Sequence, residues 1–142
     1  DETRVESSPQ HIPADPIMKL AAVLLLALAA VASATRELSG AEFDDAVSSS
    51  GSAFVKFYAP WCGHCKRLAP TLDQLADHYA SDAAVDVLKV DCTKSANKKV
   101  CGDQGVRGYP TLKFFKSGDK TGEKYESARS LDAMKEFIEA RK

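Results

Sequence analysis

The sequence predicts one α/β domain in which helices flank a mixed central β-sheet. From residue 35 onward, runs rich in β-branched and aromatic residues alternate with segments of helical apolar spacing, in the order α-β-α-β-α-β-β-α. Such alternation is typical of a sheet covered by helices. The 142 residues, 44% hydrophobic and 27% charged with a net charge of −1, suit about one globular domain. The balanced charge gives no indication of nucleic-acid binding.

The first helix is predicted to begin at a capping box formed by Ser39 and Glu42. In such a box the Ser hydroxyl accepts a hydrogen bond from the backbone N–H three residues on, and the Glu carboxylate reaches back. Phe43 and Val47 follow four residues apart and give this helix one apolar stripe. The Ser/Gly-rich residues 48–52 then predict a turn.

Residues 53–58 predict a strand, and residues 62–79 predict the helix that follows it. The strand is apolar on both faces, which favours a central place in the sheet. Pro60 ends the strand, and four apolar residues then recur at helical spacing. They are Leu68, Leu72, Leu75 and Tyr79.

The remaining elements continue the alternation. Residues 85–91 predict a second core strand, 94–101 a weak helix, 111–115 a third strand and 122–125 a short edge strand. The last helix is capped by Ser130, buries Leu131, Met134 and Ile138, and carries Arg141 and Lys142 in its last turn.

The first 34 residues are predicted to lie outside the folded domain. Met18 and Lys19 precede an unbroken apolar run at 20–31, and Ala32-Ser33-Ala34 fits a cleavage site, so 18–34 predict a secretory signal peptide. The alternative, a membrane anchor, needs about 20 apolar residues. We therefore expect no stable membrane span after signal removal. Residues 1–17 predict an upstream or cloning-derived disordered segment, and 35–142 the folded domain.

The run Trp61-Cys62-Gly63-His64-Cys65-Lys66 carries the chemistry. Disulfide exchange needs a thiolate. Cys62 lies at the predicted helix start, where unpaired N–H groups and the positive end of the helix dipole stabilise an anion. A protonated His64 would add a second stabilising charge. Cys65, three residues along the same face, is placed to resolve a mixed disulfide formed at Cys62.

Other uses of a C-x-x-C pair fit less well. A zinc site needs four ligands, and the wide spacing of Cys92 and Cys101 does not match a second pair. Haem attachment needs a His after the second Cys. A structural disulfide rarely lies at a helix start behind a Trp. We therefore predict a redox pair without metal or cofactor, while four cysteines still allow three pairings.

The segment 57–66 resembles the catalytic domain of protein disulfide isomerases, in the thioredoxin superfamily. The run Gly108-Tyr109-Pro110-Thr111 resembles the cis-proline loop of that family, and the resemblance extends over about 38–140. It implies a thioredoxin fold with Pro110 cis and next to the C-x-x-C helix. It also implies that client peptides bind beside Trp61, Tyr109 and Pro110. Gly63 and His64 between the cysteines are similar to isomerases, whereas reducing thioredoxins typically have Gly-Pro.

The same resemblance implies roles for four other residues. Arg129 matches an arginine that approaches the resolving cysteine and lowers its pKa; the alternative is a solvated surface arginine. Lys56 stands where many members have a buried Glu that serves proton transfer, so it is either buried with a lowered pKa or directed outward. Cys92 and Cys101 match a structural disulfide, and free thiols are the alternative.

The expected function is to form, break and rearrange disulfides in secretory-pathway proteins. Expected partners are unfolded or partly oxidised polypeptides, with glutathione or an oxidase as the redox partner. The expected location is the endoplasmic reticulum lumen or the secretory pathway, with secretion also open because residues 139–142 are not a K-D-E-L signal. A reductase and a peptide-binding chaperone remain the two alternative functions.

Overall fold

The computed structural model describes residues 34–49 and 51–142. The predictions for residues 1–17 and for the signal peptide, apart from Ala34, lie outside the described residues. Within the described ranges, no helix is long and apolar enough to cross a membrane.

The described residues form five strands and four α-helices. The strands are β1 (Arg36–Leu38), β2 (Ser52–Tyr58), β3 (Val85–Asp91), β4 (Thr111–Lys116) and β5 (Glu123–Lys124). The helices are α1 (Gly40–Ser49), α2 (Gly63–Tyr79), α3 (Lys98–Asp103) and α4 (Leu131–Glu139), and a 3₁₀ turn at Ser95–Asn97 precedes α3.

The strands form one mixed sheet in the order β1-β3-β2-β4-β5. β1, β3 and β2 run parallel, whereas β4 is antiparallel to β2 and β5 is antiparallel to β4. The predicted α/β class is therefore confirmed. β2 lies at the centre, as expected for a strand that is buried at every position except Tyr58, which is half-buried.

No sequence pattern predicted β1. This edge strand has three residues and buries only Leu38, so it carries too little local pattern to be recognised. It forms because the outer edge of β3 is open for pairing, with Arg36 opposite Leu88. Thr35 anchors the start of β1, because its backbone N–H and its hydroxyl both donate to Asp73 of α2.

Two apolar layers hold the helices on the sheet. On one face, the ring of Phe43 from α1 packs against Phe57 and Phe115, with ring centroids 5.8 and 5.5 Å apart. On the other face, α2 and α4 cover Phe54 and Phe114. Since side chains of a strand alternate between faces, β2 contributes to both layers. The start of α2 is thereby fixed directly after the central strand.

The start of α1 differs from the prediction in the direction of one hydrogen bond. In the capping box the Glu42 carboxylate accepts from both the N–H and the hydroxyl of Ser39, at 2.9 and 2.5 Å. The hydroxyl therefore donates to the carboxylate, where we expected it to accept from the backbone.

The position predicted for Arg141 and Lys142 was wrong. α4 ends at Glu139, so both residues follow the helix. Lys142 instead bridges the carboxylates of Asp82 and Glu139, at 2.9 and 3.0 Å. At the other end Ser130 caps the helix as predicted, accepting from the Ala133 N–H at 3.4 Å. Arg141 donates to Glu123 of β5 at 3.0 Å and to the Phe137 carbonyl of α4 at 3.3 Å. Both cations therefore contact the end of the helix from outside it.

Candidate active site

The candidate site lies at one end of the central strands. β2 and β3 are parallel and end side by side, with Tyr58 opposite Asp91. β4 is antiparallel to β2 and begins at the same end, with Thr111 opposite Phe57. The segments that follow β2 and precede β4 therefore meet at one edge of the sheet, where ligands commonly bind in open α/β sheets.

Cys62 is the N-cap residue of α2. Its extended backbone (φ −74°, ψ 117°) leads the chain into the helix, and its N–H donates to the Ala59 carbonyl at 3.1 Å. The Cys62 Sγ accepts a hydrogen bond from the Cys65 N–H at 3.3 Å. The sulfur thus occupies the acceptor position that Ser or Asp fills in ordinary caps. A thiolate is the better acceptor there, so the helix start favours the charged form.

The two cysteines of the pair have opposite electrostatic environments. The pKa of Cys62 is lowered, first by a hydrogen bond from the Cys65 side chain, then by the backbone N–H groups of Cys65 and His64 and by the charge of Arg129. Burial raises the pKa of Cys65 to about 11, and its hydrogen bond to Cys62 adds to the shift. Cys62 is 8% exposed and Cys65 only 3%. Both are free thiols in the structure. The arrangement holds the nucleophile at Cys62 and a proton on Cys65.

His64 contributes through its backbone in this arrangement. Its ring is exposed, and Nδ1 lies 2.8 Å from Nη2 of Arg67, one helical turn on. This contact holds the imidazole ring against the Arg67 side chain. The stabilising charge expected from a protonated His64 stays a prediction. The backbone N–H of His64 lowers the pKa of Cys62.

Trp61, Tyr109 and Pro110 lie around Cys62. The Tyr109–Pro110 peptide bond is cis, and Pro110 is buried. The Cys62 Sγ is 3.6 Å from the Tyr109 carbonyl oxygen. The ring of Trp61 meets that of Tyr109 edge to face, with centroids 5.9 Å apart, and Trp61 is 71% exposed. A large apolar ring in water beside a nucleophilic sulfur offers a contact surface for a polypeptide.

Lys56 is buried on the α2 face of β2, only 4% exposed. Burial and the neighbouring cation of Lys89 lower the pKa of its ammonium group. Its Nζ lies 5.0 Å from the ring centroid of Tyr58. Lys56, Lys89 and Cys65 line one small cavity of about 130 Å³. The charge of Lys56 lowers the pKa of Cys65 and so opposes the effect of burial.

Arg129 lies just before α4 and is exposed. The resemblance led us to expect its charge to act on the resolving cysteine. Its charge lowers the pKa of Cys62, and its effect on Cys65 stays a prediction. Arg129 also lines a small cavity of about 230 Å³ together with His64 and Arg67.

Cys92 and Cys101 form a disulfide outside this site. Their sulfurs are 2.01 Å apart and their Cα atoms 5.9 Å apart. The bond joins the residue after β3 to α3. Among the described residues, no group of three or more His, Cys, Asp or Glu side chains is placed to hold a metal ion.

Two residues of the site, Lys89 and Arg67, were not predicted from the sequence. Lys89 stands opposite Lys56 in the parallel register of β3 and β2, and no local pattern reveals that pairing. Arg67 lies three residues after His64, a spacing that places two helical side chains on one face. That contact was therefore within reach of sequence reasoning.

Comparison with known proteins places the chain among thioredoxin domains. A family model described as Thioredoxin matches residues 34–140. The thioredoxin domain-containing protein 5 homolog of Drosophila melanogaster is 50% identical over 98 residues, which are 68% of this chain and 23% of that protein. A protein disulfide-isomerase-like protein of Emiliania huxleyi is 47% identical over 124 residues, 86% of this chain and 55% of that protein. The chain thus spans between about a quarter and about a half of the length of these curated relatives.

Two solved structures with thioredoxin domains superpose on the chain. The J-Trx1 fragment of ERdj5 superposes with a TM-score of 0.65 at 35% identity, over 74% of this chain and 48% of that one. The first thioredoxin domain of mouse protein disulfide-isomerase A4 gives a TM-score of 0.64 at 31% identity, over 73% and 72% of the two chains. The predicted thioredoxin fold is therefore confirmed.

Proposed function

Because the chain belongs to the thioredoxin family, as a domain of the protein disulfide isomerase type, we propose that it is a thiol–disulfide oxidoreductase. We propose further that it forms, breaks and rearranges disulfides in polypeptides of the secretory pathway. One observation carries the proposal. Cys62 and Cys65 lie one helical turn apart, and their pKa values are shifted in opposite directions. That asymmetry divides the attacking and resolving roles between them.

In the reducing direction, the Cys62 thiolate attacks one sulfur of a client disulfide. A Cys62–client disulfide forms, and the other client sulfur leaves as a thiolate that takes up a proton. Cys65 then loses its proton and attacks the Cys62 sulfur, which forms the Cys62–Cys65 disulfide and releases the client thiol. The client gains two electrons and the pair loses two. The reverse sequence donates a disulfide to a client dithiol, and attack by a second client thiol on the mixed disulfide rearranges pairings.

The slow step of this scheme is the loss of the Cys65 proton, since burial raises the pKa of that thiol to about 11. We propose that the ammonium group of Lys56 stabilises the Cys65 thiolate as it forms. Support comes from the shared cavity and from the direction of the effect of Lys56 on the pKa of Cys65. Lys56 would then act as a fixed charge in place of the carboxylate base that many relatives carry.

Clients, redox partners and location belong to the same proposal. We expect unfolded or partly oxidised secretory polypeptides as clients, and glutathione or an oxidase to recharge the pair. We place the reaction in the endoplasmic reticulum lumen or later in the secretory pathway. The Cys92–Cys101 disulfide is consistent with an oxidising compartment, because such bonds are rare where glutathione keeps thiols reduced.

The proposal is tested by trapping the mixed disulfide. Cys65→Ser removes the resolving thiol, so the variant should accumulate Cys62-linked mixed disulfides with reduced and denatured RNase A during oxidative refolding, seen by non-reducing electrophoresis and mass spectrometry. Cys62→Ser is the matched control, since it also removes one thiol of the pair but should trap nothing. Both variants should lose refolding activity. Unchanged RNase refolding by both variants would refute the proposed catalysis.

A further inference from the structure

A basic cleft opens beside the reacting sulfur. It has a volume of about 620 Å³ and is lined by the loop at 107–111, by β4 and by the segment around β5, together with Arg129. A volume of this size is within the range of ligand-binding pockets. Tyr109 lines the cleft, and its carbonyl oxygen lies 3.6 Å from the Cys62 Sγ. Through Tyr109, the cleft therefore adjoins the position of a polypeptide joined to Cys62.

The charged side chains of the cleft are predominantly positive. Four cations line it against one carboxylate: Arg107, Lys113, Lys124 and Arg129 against Glu126. Electrostatic attraction in such a cleft favours an anionic occupant.

Two of the four cations are already engaged inside the domain. The Lys113 ammonium group is buried and donates to the backbone carbonyl and the side-chain oxygen of Gln104, at 3.2 and 2.9 Å, and to the Thr121 carbonyl. Lys124 pairs with Glu126 at 2.7 Å. Lys124 therefore neutralises Glu126, the one carboxylate that lines the cleft.

Arg107 and Arg129 remain. Both are exposed, and neither has an ion-pair or hydrogen-bond partner within the described part of the chain. They belong to different segments, one before the cis-proline loop and one before α4, so the fold brings two unpaired guanidinium groups to one cleft. A guanidinium offers a fork of donors that matches a carboxylate.

We propose that this cleft is a specificity subsite for acidic side chains in the client, within a few residues of the client cysteine that reacts with Cys62. Asp or Glu at such a position pairs with Arg107 and Arg129 in the encounter and in the mixed disulfide. Clients whose acidic residues reach the cleft, either from before or from after the reacting cysteine, then react with Cys62 faster than neutral clients. The inference rests on the proposed function, since it concerns which polypeptides Cys62 attacks.

The test uses short neutral peptides whose single cysteine carries a 2-pyridyl disulfide. One set has two Asp residues directly after the cysteine, a second set has them directly before it, and matched peptides have Asn or Lys there. The Cys65→Ser protein attacks the peptide sulfur, forms the mixed disulfide and releases 2-thiopyridone, which is read by absorbance. At low salt we expect the Asp peptide of one set to react roughly two- to fivefold faster than its Asn counterpart, the range of an exposed ion pair. The Lys peptide should be the slowest.

Arg107→Gln in the same background should bring the Asp-to-Asn ratio towards one. Arg36→Gln is the matched control, because it removes the same charge from an exposed position on β1, at the opposite edge of the sheet from β5. It should leave the ratio unchanged. High salt should also abolish the preference, since the screening length falls to about 3 Å at 1 M.

The outcomes separate the two proposals. Equal rates for Asp, Asn and Lys peptides in both sets, or equal ratios in the Arg107→Gln and Arg36→Gln proteins, would overturn the cleft alone, because thiopyridone release still demonstrates a reactive Cys62. Release from no peptide would overturn the proposed function and the cleft together.

Discussion

Two thiols three residues apart acquire different chemistry from their immediate surroundings. Cys62 receives backbone N–H groups at the helix start, which favour its anion. Cys65 is one turn deeper, and burial favours its neutral form. The thiol group therefore loses its proton more readily at position 62 than at position 65, as the proposed attacking and resolving roles require. The positive charge of Lys56, which lines the same cavity as Cys65, lowers the pKa of Cys65 and so makes loss of that proton easier.

Lys56→Met should slow the resolution of mixed disulfides. It removes the cation that stabilises the Cys65 thiolate, and one unit of pKa corresponds to a tenfold change in the fraction ionised. We expect the lifetime of the mixed disulfide to rise about three- to tenfold. The measurement is a single turnover with a peptide 2-pyridyl disulfide, stopped with acid and analysed by mass spectrometry.

Lys56→Arg distinguishes a fixed charge from a base. Arginine keeps the positive charge but does not lose its proton in proteins, so it should resolve mixed disulfides nearly as fast as the natural chain. If the Arg variant is as slow as the Met variant, Lys56 acts as a proton acceptor. If the Met variant resolves at the natural rate, Lys56 has no part in this step. Thermal unfolding of each variant checks that the buried substitution is tolerated.

The elements act as supports for the cysteine pair. β2 is the central strand and is buried at every position except Tyr58, so α2 follows a strand that is paired on both sides. The loop before β4 brings Tyr109 and Pro110 to the same edge. β3 ends beside them, and the disulfide from Cys92 ties that end to the short helix α3. A helix of six residues is too short to be stable by itself, so the cross-link contributes to holding it.

Replacing both Cys92 and Cys101 by Ala should lower the free energy of unfolding by about 2–3 kcal/mol. The chain-entropy relation gives this value for a loop closed by residues nine apart. The measurement is urea unfolding of the protein with the active-site pair reduced. Cys62→Ala/Cys65→Ala is the matched control, since it also removes two buried sulfurs but no cross-link, and it should cost less. Equal losses in the two double variants would contradict a role for the cross-link.

At the scale of the whole molecule, the stability of the reduced protein should depend on pH differently from that of the oxidised protein. The reduced form has two titrating thiols that the oxidised form lacks. The pKa of Cys62 lies below its ordinary value of 9.0, so the reduced folded state gains stability as pH rises through that pKa, with the full gain present above 9.0. The pKa of Cys65 is raised to about 11, so between 9.0 and that value the reduced folded state loses stability.

The melting temperature of the reduced protein minus that of the oxidised protein should therefore rise from acidic pH to about pH 9 and fall beyond it. Differential scanning calorimetry of both forms between pH 5 and pH 10 provides the measurement, with the Cys92–Cys101 bond kept intact and verified by mass spectrometry. Subtracting the oxidised form cancels the titration of the other groups. A difference that stays constant, or that falls between pH 5 and pH 9, would contradict the opposed pKa shifts.

Much of the fold followed from local pattern. The three core strands were predicted to within one residue at each end, because their β-branched and aromatic runs are long and bounded by turn residues. β1 was missed because three residues at a sheet edge carry no such pattern. Arg141 and Lys142 were predicted in the last turn of a helix that ends at Glu139. Their ion pairs with Glu123 and Asp82 depend on distant segments, which no local pattern reveals.

By itself, the sequence located the proposed redox pair: it predicted that Cys62 stands at a helix start and that Cys65 follows on the same face. These properties depend on spacings of a few residues and on the backbone of one helix turn. The tertiary structure decided what surrounds the centre. Burial of Lys56, its pairing with Lys89 from another strand, the effect of Arg129 on Cys62 and the basic cleft all depend on segments that are far apart in the chain. Charge and burial act through space, so their effects on the two thiols are fixed only when the sheet has been assembled.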